Sequence, residues 1–118
     1  MIRERALKVV LVLVGLLFIA GGVYGLVQGN QPAYAQMLIS VYATLGVFLL
    51  LAARKPSAHR SLIAFTAWSS FAHGAVMAVQ AFQNVIPRGD LLGAVLPLVI
   101  VGVALIVLAP AKLSVAGA

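Results

Sequence analysis

The stretch Leu91-Leu-Gly-Ala-Val-Leu-Pro97-Leu-Val-Ile-Val-Gly102-Val-Ala-Leu-Ile-Val-Leu-Ala109 runs without one charged side chain, and its reading decides the class of the fold. An α-helix rises about 1.5 Å per residue, so roughly 20 apolar residues cross the ~30 Å hydrocarbon core of a bilayer. Three more runs of this kind precede it, at 7-27, 34-53 and 61-82. Backbone groups in lipid must be paired within their own segment, and none of the runs alternates apolar and polar residues as a membrane barrel strand does. The intervening segments, Gln28 to Ala33, Arg54 to Arg60 and Gln83 to Asp90, are short and rich in Gly, Asn, Pro and charge. Short connections make neighbouring helices antiparallel. The sequence therefore predicts an all-α membrane protein, an up-and-down four-transmembrane-helix bundle forming one transmembrane domain over 1-118.

Composition points the same way. A chain of 118 residues that is 64% hydrophobic and 8% charged cannot hide its apolar side chains in a water-soluble core, because so small a domain has too much surface. The net charge of +6 and the pI near 10.6 arise from clusters at the ends of the apolar runs. That is a topology signal and not a phosphate-binding face, so no nucleic-acid partner is expected. Cysteine is absent. The only acidic residues, Glu4 and Asp90, lie outside the apolar runs, which leaves paired-carboxylate catalysis and carboxylate-coupled proton transport without residues.

Four crossings would place Arg3, Arg5, Lys8, Arg54, Lys55, Arg60 and Lys112 on one side and Arg88 on the other. The positive-inside rule then puts both chain ends and the second loop in the cytoplasm, an N-in/C-in arrangement with the first and third loops outside. Tyr24 and Tyr34 fall near the outer interface, where amphipathic rings are favourable. Met1 to Lys8 also resembles a signal-peptide n-region, with Ala33-Tyr34-Ala35 as a cleavage site. The following apolar run is longer than the ~7 to 15 residues of a signal h-region, which favours its retention as a helix.

The third run carries the most informative pattern. Thr66, Ser70, His73, Met77, Gln80 and Asn84 recur at steps of 4, 3, 4, 3 and 4, which places them within about 40° either side of one helical line. Trp68 lies on the opposite face. A polar stripe in a bilayer looks inward, where it serves packing hydrogen bonds or a ligand pathway. His73 is the ionisable group nearest mid-bilayer. A neutral imidazole offers one donor and one acceptor, and it can also ligate haem or copper, with Met77 one turn on and Met37 as a further soft ligand. That cofactor reading is weak: a second histidine is missing from the runs, and His59 belongs to a loop.

Gly21, Gly25 and Gly29 repeat at four-residue spacing, with Gly15 and Gly22 on an adjoining line. Such a groove lets another helix press close, either inside the bundle or between subunits. Gln36, Ser40 and Thr44 on the second helix could answer the polar stripe of the third. Pro97 is expected to kink the fourth helix about one and a half turns from its outer end. The loop Arg54-Lys55-Pro56-Ser57-Ala58-His59-Arg60 holds three fixed positive charges, which anchor topology and attract anionic lipid at about 1 kcal/mol per basic residue. Ser61 could cap the third helix.

The runs Tyr42-Ala-Thr-Leu-Gly-Val-Phe-Leu-Leu-Leu-Ala-Ala-Arg54 and His59-Arg60-Ser61-Leu-Ile-Ala-Phe-Thr-Ala-Trp68-Ser-Ser-Phe-Ala-His73-Gly-Ala-Val-Met77-Ala-Val-Gln80 resemble an uncharacterised bacterial family of small four-helix integral membrane proteins. The Trp68, Ser69, Ser70, His73, Met77, Gln80 pattern carries the resemblance, which covers roughly the central forty residues and extends weakly over the fourth helix. It implies a bacterial cytoplasmic (inner) membrane and the same helix count, and it brings no activity with it. In size and helix number the chain also looks like the small multidrug resistance transporters. Those depend on a glutamate in their first helix, and none lies between Leu7 and Val27. The expectation is a non-enzymatic membrane protein without a cofactor, an accessory or structural subunit that forms a homo-oligomer or joins a larger membrane complex. Ligand binding or transport along the Thr66 to Gln80 stripe is the alternative, and haem or copper at His73 and Met77 comes third.

Overall fold

The computed structural model describes residues 2–110. Four helices in it are long and apolar enough to cross a membrane. Contacts divide the chain into two compact units, 1–59 and 60–118.

The first unit is a helical hairpin of α1 (Ile2–Gln28) and α2 (Ala33–Ala52). Helix α1 starts at Ile2, five residues before the predicted boundary, because Arg3, Glu4 and Arg5 are good helix formers and Lys8 Nζ lies 3.7 Å from Glu4 Oε1 one turn away. It ends at Gly29, which adopts φ +65° and donates its N–H to the Gly25 carbonyl at 3.4 Å. That left-handed cap requires glycine's freedom, so Gly29 closes the helix. Pro32 opens α2 without a side-chain cap, and the Gln36 amide bridges the turn by donating to the Gln31 carbonyl at 2.8 Å. Beyond Ala52 the chain tightens, with Arg54 and Lys55 N–H groups donating to the Leu51 and Ala52 carbonyls, and enters a 3₁₀ turn at Pro56–His59.

The two helices of this hairpin run antiparallel with their backbones in contact. A Cβ placed on Gly46 would lie 2.6 Å from the Gly15 carbonyl oxygen, and one on Gly15 would lie 2.8 Å from the Gly46 oxygen. Further along, Gly22 faces Ala43 and Ile39, and Gly25 faces the Ile39 side chain. Phe18 and Tyr42 meet edge to face at 5.2 Å. Lipid is as apolar as a leucine side chain, so helices in it gain little from hydrophobic burial and associate through such close packing.

The second unit pairs α3 (Arg60–Phe82) with α4 (Leu96–Leu108), again antiparallel. Asn84 sits at φ +61° just past α3, while Val85 and Asn84 donate to the Gln80 and Ala81 carbonyls. This is a Schellman cap with asparagine in the left-handed position, so Asn84 leaves the stripe that its spacing suggested. A π-helical turn, Leu91–Val95, leads into α4, and Leu96 donates its N–H to the Leu91 carbonyl. Pro97 consequently falls in the first turn of the regular helix, and the predicted interior kink is replaced by a wider turn ahead of it. The reason is local: proline has no N–H to give, and its ring crowds the carbonyl four residues back. At the seam between α3 and α4, the Phe71 ring lies where a Cβ on Gly102 would be, at 2.6 Å, and Gly74 faces Val95 and Leu98.

Large apolar side chains are exposed along every helix, among them Leu13, Leu17, Val41, Phe48, Phe65 and Ile100. Water would not tolerate so continuous an apolar surface, and a bilayer does.

Candidate functional site

The polar stripe of α3 is buried at its start and opens toward its end. Thr66 and Ser70 are 0% and 1% exposed, His73, Met77 and Gln80 are half-buried, and Asn84 is exposed beyond the helix. Thr66 Oγ1 donates to the Leu62 carbonyl at 2.9 Å, and Ser69 Oγ donates to the Thr66 carbonyl at 3.2 Å. Both hydroxyls thus satisfy themselves on their own helix. Ser70 Oγ is fully buried and has no hydrogen-bond partner among the described residues. His73 has an interaction of its own.

The hydroxyls of α2 also bond to their own helix. Ser40 donates to the Met37 carbonyl at 2.6 Å and Thr44 to the Ser40 carbonyl at 3.0 Å, and both side chains remain on an exposed face. A hydroxyl that turns back to its own helix can face lipid at little cost. Sequence spacing alone does not reveal this choice, since an i−4 carbonyl is always within reach.

No three His, Cys, Asp or Glu side chains gather as a metal site among the described residues, and the chain has no cysteine. Met37, the suggested third soft ligand, is 69% exposed.

The glycines separate into distinct roles. Gly15, Gly22 and Gly46 form the α1–α2 seam, and Gly102 receives Phe71 in the other hairpin. Gly25 touches only the Ile39 side chain, at 3.1 Å from an added Cβ. Gly21 is exposed, with nothing within 4 Å of where a Cβ would stand. The four-residue repeat of Gly21, Gly25 and Gly29 therefore held one cap, one side-chain contact and one open position. The seven-residue pair Gly15 and Gly22 carries the packing, and its partner Gly46 lies outside the glycines that spacing points to. The signal was available: a lone glycine inside the apolar run of a second helix.

The basic loop also divides. Arg54 and Lys55 are exposed, whereas Arg60 Nε donates to the Pro110 carbonyl at 3.1 Å, just beyond the end of α4. There it offsets the negative end of that helix. His59 Nδ1 lies 3.0 Å from the Lys55 carbonyl. At the far end of α3, the Arg88 guanidinium lies 5.9 Å from the Phe82 ring centroid. Lys112, counted in the charge asymmetry, lies outside the described residues.

A family model of unknown function, DUF6632, matches residues 4–116. The chain belongs to the DUF6632 family. That match runs through both hairpins of the DUF6632 chain and so exceeds the central segment that carried the resemblance. No curated protein and no solved structure matches it.

Proposed function

We propose that this DUF6632 chain is a non-enzymatic protein of a bacterial cytoplasmic membrane, an accessory or structural subunit that works by helix–helix association. It crosses the bilayer four times with its amino-terminal end and the Arg54 to Arg60 loop in the cytoplasm, as the distribution of Lys and Arg supports. The observation that carries the reading is Gly21. Its neighbours Gly15, Gly22 and Gly46 are used inside the hairpin, yet Gly21 stands open on the exposed face of α1 between Leu17 and Tyr24. A glycine there lets the backbone of a partner helix approach, a contact that lipid chains do not need. Trp68 adds a second exposed element, at 64% exposure and edge to face with Phe71 at 5.5 Å.

The test is native mass spectrometry of the full chain released from membranes in mild detergent. The expected result is a defined oligomer, or a constant partner subunit, that Gly21→Leu shifts toward monomer without changing helix content. Wild-type protein that is monomeric, with nothing co-purifying, contradicts the reading.

One observation favours a second reading, in which Thr66, Ser70, His73 and Gln80 hold a small polar ligand. Ser70 Oγ is buried without a partner among the described residues, and an unsatisfied buried hydroxyl costs about 1–3 kcal/mol. A bare monomer carrying a small-molecule mass in the same spectra would support it.

A further inference from the structure

The chain entering α4 uses three hydrogen-bond registers in quick succession. Leu92 donates its N–H to the Gly89 carbonyl three residues back, Gly93 donates to the same carbonyl four back, and Leu96 donates to the Leu91 carbonyl five back. Proline explains why the widest of these persists. A π turn inside an α-helix leaves one carbonyl over, and an uninterrupted α-helix leaves none, so the α register normally wins on bond count. Pro97 has no N–H. In the α register the Gly93 carbonyl would lose its donor for that reason. In the π register the Leu92 carbonyl goes without one, since Leu96 donates to Leu91 and the next donor in line is again Pro97. Each register therefore leaves one carbonyl over, and the bond count no longer chooses between them.

The surroundings seat one side of the turn and leave the other free. Beyond it α4 is held, with Val95 and Leu98 against Gly74 and with Gly102 against the Phe71 ring. Ahead of it, Gly89 and Gly93 have nothing within 4 Å of where a Cβ would stand, and Leu92 is exposed. One contact ties this free side to the end of α3, the Arg88 guanidinium at 5.9 Å from the Phe82 ring centroid. We propose that the Leu91–Val95 turn is a two-position switch. Transfer of the Leu96 N–H from the Leu91 to the Leu92 carbonyl converts π to α and turns residues 87–90 by about one helical residue, roughly 100°. Pro97 balances the two registers, and the Arg88–Phe82 contact latches the π register. The turn carries Arg88 and Asp90, the charged residues of this connection, to another side of α4. The device lies within the second hairpin and does not depend on helix association through Gly21.

Nitroxide labels on Val76→Cys and Gly89→Cys, both exposed positions, report the switch by pulsed electron paramagnetic resonance. The full chain is placed in lipid nanodiscs and diluted with the natural protein, which has no cysteine, so that neighbouring copies stay silent. Two distance populations are expected, the smaller about a tenth or more of the whole. Pro97→Ala restores the missing N–H and should leave only the smaller population of the parent. Phe82→Leu should raise the ratio of smaller to larger about two- to fivefold, the loss expected for an exposed cation–π contact. A single population in the parent overturns the proposal, as does a Pro97→Ala distribution that keeps the larger population. A ratio that Phe82→Leu leaves as it was overturns the latch.

Discussion

Gly46→Leu is expected to part α1 from α2 and to cost at least about 3 kcal/mol of unfolding free energy, at the upper end of overpacking penalties. The new Cβ would stand 2.6 Å from the Gly15 carbonyl oxygen and 2.9 Å from the Ile19 side chain. A backbone oxygen cannot rotate away as a side-chain tip can, so the helices must separate and forfeit their other contacts, including the Phe18–Tyr42 edge. Gly21→Leu is the matched control. It adds the same atoms to the same hairpin at an open position, and should stay within about 0.5 kcal/mol of wild type when the monomer is measured. Equilibrium unfolding in mixed micelles, followed by helical circular dichroism, compares the two directly. Equal stabilities would show that the α1–α2 seam is not held by Gly15 and Gly46.

The second hairpin should respond to the same insult more mildly, and reversibly. Gly102→Ala places a methyl 2.6 Å from the edge of the Phe71 ring, which is a side chain and can turn. The expected cost is about 1–3 kcal/mol. In a Phe71→Leu background the cost should largely vanish, giving a coupling energy of about 1 kcal/mol or more in a double-mutant cycle. Phe71→Leu alone is destabilising, because it removes ring volume and the edge contact with Trp68. Simple additivity of the two substitutions would place Phe71 away from Gly102.

The contrast between these hairpins explains how much was legible in the sequence. Four apolar runs at bilayer length gave the helices, because hydrophobic length is a one-dimensional signal. Their ends moved for local reasons: Arg3, Glu4 and Arg5 continue a helix readily, and Pro97 draws a π turn in front of itself. The glycine repeat was visible, but spacing does not distinguish a packing glycine from a cap. Gly29 declares itself only through its positive φ, and Asn84 likewise. Polar stripes were the least legible, since Ser40, Thr44 and Thr66 can all bond to their own helix and show the same periodicity either way. Ser70 is the exception: its spacing sets it on the stripe and Ser69 off it, but does not reveal that its hydroxyl goes without a partner among the described residues while that of Ser69 bonds to Thr66.

The central claim is that the two hairpins cross a membrane in alternating directions. The chain contains no cysteine, so a single introduced one reports alone. Gln31→Cys, Ser57→Cys and Gly89→Cys each lie at exposed positions between helices, and intact cells can be treated with a membrane-impermeant maleimide. The account predicts labelling at Gln31→Cys and Gly89→Cys in intact cells, and at Ser57→Cys only after permeabilisation. Labelling of Ser57→Cys together with Gln31→Cys in intact cells would contradict it.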